Sequence, residues 1–480
     1  MKRIKFVGMG FFILLLVLTV TGSVFAGSAY NAAFTTSITY QNVGSGDATI
    51  VFSFYPENDG TAIPINATLP QGAGASLYVG GLSQISSGFN GSVVMSSDQP
   101  VVATMVQISS DSDVKVRPLS NGFSGGSDKV LLATVLKNQN NTTSRFSIQN
   151  AHSTAVDITV EIFNADNPSA TPITITHDNL PVGASKTFDM GQLSAVTASS
   201  FNGSATVTAV EAGTSTPANI VGTVLELKVN SGLASSFEGV ASGSTTLYMP
   251  SALCQFGSGG ASTAYAIQNT SDSTAANVTV TYSNGATDTA TIQPGAKNSF
   301  ITCDVTSAGY LGSSTIVSNN SVEIIGVAKV FGGGRSAAFL GAGEGASTLA
   351  MPYVRFTQSQ WAVGGRQRAY IAIQNVGSNL ASGELVASYL NKDGEVVATH
   401  TFGAIANGVK VNTNASDSAL VLASGHTQDE LDEFGYVGGF GGSILVEGPP
   451  GSELVATVRI LTVTSTGTAA EDYNGIPVGN

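Results

Sequence analysis

The residues of this chain with chemistry to offer are four histidines, two cysteines, one tryptophan and two short acidic clusters. His152, His177, His400 and His426 never stand at the spacing that brings two imidazoles to one metal. His152 and His426 fall in segments read as loops, where an imidazole is expected to be solvated. Gly122-Phe123-Ser124-Gly125-Gly126 matches the nucleophile-elbow pattern, which needs a strand before it and a helix after it to present the hydroxyl. Here the flanks are rich in Gly and Ser and no helical pattern follows. Gly341-Ala342-Gly343-Glu344-Gly345 looks like a dinucleotide loop without its βαβ unit. Asp111 and Asp113, and then Asp429, Glu430, Asp432 and Glu433, are hard oxygen ligands of the kind calcium takes. Neither cluster has EF-hand spacing, and a solvated acidic loop is the plainer reading. Trp361, flanked by Gln358 and Gln360, and Tyr436 offer aromatic faces on which a sugar ring could stack. Cys254 and Cys303 can form one disulfide or stand as two buried thiols. No cofactor is implied beyond a calcium ion at the acidic run.

What must position these groups is a repeat. An apolar run ends in Gln-Asn four times, at Gln41-Asn42, Gln149-Asn150, Gln268-Asn269 and Gln374-Asn375, with separations of 108, 119 and 106 residues. Even spacing of one motif with its surroundings marks a tandem array. The pair has two readings. It could form four ligand sites, or Gln ends a strand and Asn bonds its own backbone two residues on to start a turn. Recurrence at the same place in every copy favours the turn.

Each copy repeats one order of features. In the third, Val278, Val280 and Tyr282 alternate with Thr279 and Thr281, the period of a half-buried strand. Asn284-Gly285 then supplies hairpin chemistry with positive φ, and Pro294-Gly295 a further turn. The first copy has Ile50, Phe52 and Phe54, then Pro70-Gln71-Gly72 and Phe89-Asn90-Gly91-Ser92. The second has Ile158, Val160 and Ile162, then Pro181-Val182-Gly183 and Phe201-Asn202-Gly203-Ser204. The fourth has Leu385, Ala387 and Tyr389, then Asn407-Gly408 and Gly442-Ser443. Short strands with a turn signal roughly every 8–12 residues predict an all-β chain of four antiparallel immunoglobulin-like β-sandwiches. The expected boundaries are 27–118, 119–240 with its connector, 241–340, 341–465 with the acidic insertion, and a tail at 466–480. A single helical turn is expected inside the insertion, over 427–434.

The start of the chain reads differently. Lys2, Arg3 and Lys5 precede an apolar stretch at 6–20, and Val24-Phe25-Ala26 fits small-residue cleavage. Residues 1–26 read as a secretory signal peptide, with a retained membrane anchor as the alternative. No second apolar stretch is long enough to span a bilayer. Removing residues 1–26 removes three of the 19 basic residues and none of the 32 acids. No basic stripe remains to meet phosphates, which argues against a nucleic-acid partner. Only 11% of the chain is charged, so Thr- and Ser-solvated strands suit lateral packing in an assembly.

The copies differ where function would show. Copies two to four open with an apolar strand a dozen or more residues before the pair, at Val130-Leu131-Leu132, Leu247-Tyr248-Met249-Pro250 and Leu349-Ala350-Met351-Pro352. The first copy has no room for that strand after cleavage, so an open edge is expected there, closed by its own N-terminal residues or by a strand from another chain. The residues after Val463 are the candidate donor. Phe123, Phe237 and Phe339 recur near the joints, and a rod of limited flexing is expected.

The order Leu247-Tyr248-Met249-Pro250, Ile267-Gln268-Asn269, Pro294-Gly295 and Asn202-Gly203-Ser204 resembles bacterial secreted proteins built of tandem immunoglobulin-like or fibronectin type III-like repeats, as in surface layers and other envelope proteins. The Cys-Trp-Cys arrangement of antibody domains is absent. The resemblance implies a non-enzymatic extracellular protein: a surface-layer-like, filament-like or stalk subunit that associates with itself or with other envelope proteins. An adhesin or glycan-binding protein using Trp361 and Tyr436 is the alternative.

Overall fold

The computed structural model describes residues 33–109, 117–228, 232–357, 366–436, 441–464 and 467–479. The expected signal peptide, Asp111, Asp113, Gln358, Gln360 and Trp361 lie outside the described residues. The chain is all-β, 58% strand and 3% helix, as the strand and turn signals predict. Among the described residues the strands form eight antiparallel sheets.

The sheets follow the chain in pairs. In the first stretch, Gly74–Tyr78, Phe34–Asn42, Val101–Ser109 and Leu119–Asn121 form one sheet, and Ile63–Leu69, Ala48–Pro56 and Gly91–Ser97 the other. In the second, Ile173–Leu180, Val156–Asn164, Phe201–Glu211 and Lys129–Lys137 form one, and Ser185–Asp189, Thr142–Asn150, Ile220–Lys228 and Leu233–Glu238 the other. The third repeats this order with Thr287–Ile292, Ala276–Tyr282, Tyr310–Ser318 and Thr246–Cys254, and with Lys297–Ile301, Ser262–Asn269, Ile324–Gly332 and Arg335–Leu340. The fourth has two six-stranded sheets around Arg366–Asn375 and Val386–Leu390.

Alternation explains the cores. Ile158, Val160 and Ile162 point inward from Val156–Asn164 and are at most 1% exposed. Their cluster takes Phe146, Ile148 and Val224 from the facing sheet. Ile50, Phe52 and Phe54 meet Ile38 and Tyr40 in the first stretch. Val278 and Val280 meet Tyr265 and Ile267 in the third, and Tyr389 and Val446 meet Ile371 and Ile373 in the fourth. Each such side chain contributes about 1.5–3 kcal/mol by leaving water. At the hairpin after Tyr282 only Gly285 adopts positive φ, at 86°.

The apolar strands that open copies two to four are present as Lys129–Lys137, Thr246–Cys254 and Thr348–Met351. The first stretch has none: among the described residues Gly91–Ser97 pairs with Ala48–Pro56 alone. The segment read as a tail is not spare. Gly467–Asn474 pairs with Leu454–Thr464, and Ile476–Pro477 pairs with Leu349 and Ala350. It completes the fourth stretch of its own chain and is not a free donor. The acidic insertion holds the short helix Gln428–Asp432, started by a Thr427–Glu430 capping box.

The expected rod does not form, because the chain closes on itself. Leu119–Asn121, Leu233–Glu238, Arg335–Leu340 and Gly467–Asn474, each closing its stretch, pack against one another. Ala266, Val327 and Ala338 of the third stretch join the second core, Ala470 of the fourth joins the third, and Val106 and Leu119 of the first join the fourth. The circuit ends where Gly74 N donates to Lys392 O at 3.1 Å. Phe237 and Phe339 are buried in the cores they follow, whereas Phe123 is 38% exposed.

Candidate functional site

The Gln-Asn pairs occupy equivalent places in all four stretches, at the end of a central strand. Each Asn is at most 1% exposed and uses its whole side chain. Oδ1 accepts from the N–H two residues on, at Gly44, His152, Ser271 and Gly377, over 2.8–3.2 Å. Nδ2 donates to Leu69 O, Leu180 O, Ile292 O and Ile405 O. It also donates to Gly46 O, Thr154 O, Thr274 O and Ser378 O, each at 2.8 Å. One amide thus ties the turn after its own strand to a carbonyl 23 to 30 residues further along the chain. The self-bonding Asn was legible in the sequence, and its long-range bonds were not.

The Gln of each pair reaches a glycine carbonyl in the next turn. Nε2 donates to Gly72 O, Gly183 O, Gly295 O and Gly408 O over 3.0–3.5 Å. Gly72, Gly183 and Gly295 stand at joints, against Gly394, Tyr55 and Phe163 of neighbouring stretches. Ser92 Oγ, from the first stretch, donates to Gly183 O at 2.6 Å, and Ser204 Oγ, from the second, donates to Gly295 O at 2.7 Å. A Cβ on Gly183 would strike the Tyr55 ring, and one on Gly295 the Phe163 ring. Both glycines hold φ near 70°, at 74° and 68°, which side chains rarely adopt. Gln268 Nε2 also crosses its joint to Ala205 O at 3.4 Å. The Asn amides and the Gln Nε2 groups are thus engaged by protein, whereas Oε1 of Gln41, Gln268 and Gln374 is buried with no hydrogen-bond partner among the described residues.

Charged groups follow the same pattern. Lys329 Nζ of the third stretch meets Glu226 Oε1 of the second at 2.7 Å and Thr134 Oγ1 at 3.2 Å. Lys410 Nζ of the fourth donates to Gly312 O of the third at 2.7 Å. Burial, with Arg459 nearby, pulls that ammonium down to about 8. Burial and the Lys329 charge pull Lys297 down to about 7. Glu238 accepts from Asn121 N across the first joint, and burial pushes its carboxyl up to about 7 against that bond. Glu471 is pushed up to about 8 by burial, opposed by Arg117.

The other expected sites are scattered. Glu430 accepts from Thr427 N at 2.7 Å and meets His426 Nδ1 at 3.2 Å. Asp432 accepts from Gln428 Nε2 at 3.0 Å, and Glu433 lies in a short strand beside Thr357. Among the described residues no three His, Cys, Asp or Glu side chains gather as metal ligands, Asp429, Glu430, Asp432 and Glu433 included. His152 is less solvated than its loop suggested: it pairs with Glu211 at 3.0 Å with 22% of its side chain exposed. His400 stacks on Phe402 and meets Thr413 Oγ1 at 2.9 Å. Tyr436 is 39% exposed in a turn. Gly122-Phe123-Ser124-Gly125-Gly126 connects two stretches with no helix after it, and Gly341-Ala342-Gly343-Glu344-Gly345 likewise joins strands. Cys254 and Cys303 are bonded, with Cα atoms 4.9 Å apart, and tie the leading strand of the third stretch to the turn after Lys297–Ile301. Among the described residues no helix is long and apolar enough to cross a membrane.

The sequence matches no protein-family model and no curated protein.

Proposed function

We propose that the four stretches are four immunoglobulin-like β-sandwiches, and that the chain is a non-enzymatic structural or interaction subunit of the cell envelope. The observation that carries this reading is the fourfold use of one device: the Gln of every pair bonds the turn glycine of its own repeat. A device built four times, and placed at contacts between repeats in three of them, fits a protein whose work is to hold a shape. The buried Lys and Glu side chains serve those contacts too, and the disulfide staples one repeat. Low charge and Thr-rich strands suit packing beside further copies or other envelope proteins. Electron microscopy of the native cell surface tests the reading: an ordered coat or fibre that disappears on deletion of the gene is expected, and a freely secreted monomer with an unchanged surface contradicts it.

The exposed Tyr436 favours a second reading, an adhesin that stacks a glycan against the fourth repeat. Tyr436→Ala should then weaken binding on a glycan array about tenfold or more.

A further inference from the structure

Among the described residues the first stretch lacks one strand that the second and third carry at the same place. In the second, Phe201–Glu211 pairs with Val156–Asn164 on one side and with the leading strand Lys129–Lys137 on the other. The far side of that leading strand is closed by a bridge, Leu131 N to Val240 O at 2.8 Å and Val240 N to Leu131 O at 3.0 Å. The third stretch repeats the bridge between Tyr248 and Ala342, at 2.8 and 3.1 Å. Both walls exist in the first stretch. Gly91–Ser97 stands for Phe201–Glu211, as the matching bonds of Ser92 and Ser204 show. Phe123, which follows Leu119–Asn121 and Gly122, stands for Val240 and Ala342.

Burial marks the gap. Ala205 and Val207 are fully buried, whereas their counterparts Val93 and Met95 are only half-buried. Val94 is 36% exposed where Thr206 is 8%. Glycine marks it too. A Cβ on Gly239 would strike Val130 and Leu132 of the leading strand, and one on Gly341 would strike Met249 and Leu247. Gly122 keeps the same place, yet among the described residues a Cβ there would meet only Ala103, at 3.5 Å or more.

A gap between two backbone walls takes a single extended segment, apolar on alternate residues. The leading strands run from Lys129 to Lys137 before Gln149 and from Thr246 to Cys254 before Gln268. The same offsets before Gln41 cover residues 19–29. There Val20, Gly22, Val24 and Ala26 alternate with Thr19, Thr21, Ser23 and Phe25. By both offsets the even-numbered residues correspond in sequence to Val130 and Leu132, or to Leu247 and Met249, which are core residues of their own stretches. We propose that this edge accepts the segment 19–29 as its occupant, so that the expected cleavage region would fill the place that the leading strand has in the other repeats. Cleavage after Ala26 removes most of that segment and leaves an acceptor edge of seven residues with no charge and no proline. This inference does not depend on an envelope role.

A chain beginning at Gly27 retains every described residue and serves as the test protein. A synthetic peptide of residues 19–29 should bind it and slow amide exchange in Gly91–Ser97 by about tenfold or more, with the central strand Val156–Asn164 unchanged. The same peptide with Val24→Pro should not bind, and Gly122→Val, which fills the gap, should abolish the protection while the protein still melts cooperatively. Absence of protection by the peptide overturns the proposal, as does protection that survives Gly122→Val. Protection of Gly91–Ser97 that rises with protein concentration alone also overturns it, by making a second copy the occupant. N-terminal sequencing of the native protein separately tests the secretory reading.

Discussion

Asn474 holds Leu340 by two hydrogen bonds: its Nδ2 donates to Leu340 O and its Oδ1 accepts from Leu340 N, both at 2.8 Å. A side-chain amide here takes the place of a neighbouring strand. The carbonyl of Asn474 in turn accepts Asn121 Nδ2 at 2.9 Å. One residue therefore links the closing strands of the third, fourth and first stretches. Asn474→Ala leaves two backbone groups of Leu340 without this partner and should cost roughly 1–3 kcal/mol by denaturant unfolding. Its effect should couple with that of Asn121→Ala by more than about 0.5 kcal/mol in a double-mutant cycle, because the two lie in one network.

Asn269 makes a sharper case within a single stretch. It is fully buried and serves three backbone groups, Ser271 N, Thr274 O and Ile292 O. Asn269→Ala should destabilise by roughly 2–4 kcal/mol, since the stranded groups lose their partner away from water. Asn42, Asn150 and Asn375 should give losses of the same order, and a near-neutral result at all four would remove the turn role assigned to the pair.

Gly183 tests the joint between the first and second stretches. Gly183→Ala meets both a φ of 74° and the Tyr55 ring. A loss of roughly 2–4 kcal/mol is expected. Adding Tyr55→Ala relieves the clash and leaves the backbone strain, so the double variant should recover part of the loss and not all of it. Calorimetric melting of the four proteins measures this.

Glu471 and Lys297 give opposite dependences on pH. Burial raises Glu471 from 4.5 to about 8. Between those values the folded chain binds the extra proton, so its contribution is full below the lower value and lost as pH rises through the upper one. Lys297 is lowered from 10.5 to about 7. Its contribution is full above the higher value and lost as pH falls through the lower one. Glu471→Gln should therefore raise the melting temperature near about pH 9, by the equivalent of roughly 1–3 kcal/mol, and leave it almost unchanged near about pH 5. Lys297→Met should help below about pH 7 and little near about pH 10.

Local chemistry was readable from the sequence, and the relation between repeats was not. Thr287–Ile292 is the strand that the turn signals on either side delimit. The bond from Asn269 to its own backbone, the helical turn after Thr427 and the Cys254–Cys303 bridge all follow from residues close in sequence or few in number. The missing leading strand of the first copy was visible because three other copies show what belongs there. The joints depend on partners that no local pattern names. Gly183 reads as an ordinary turn glycine until Tyr55 is seen across from it. The tail after Val463, rich in Gly and short of periodicity, reads as loose; its strand exists because Leu454–Thr464 offers it an edge. Phe237 and Phe339 read as connector residues, yet each ends a strand and faces the core it has just left.

The central claim is that four similar repeats are held against one another and not strung out in line. Small-angle X-ray scattering of the chain from Gly27 measures this directly. The closed arrangement predicts a radius of gyration near the compact value of about 23 Å for a chain of this length. An elongated profile, with a radius about twice that value, would contradict it.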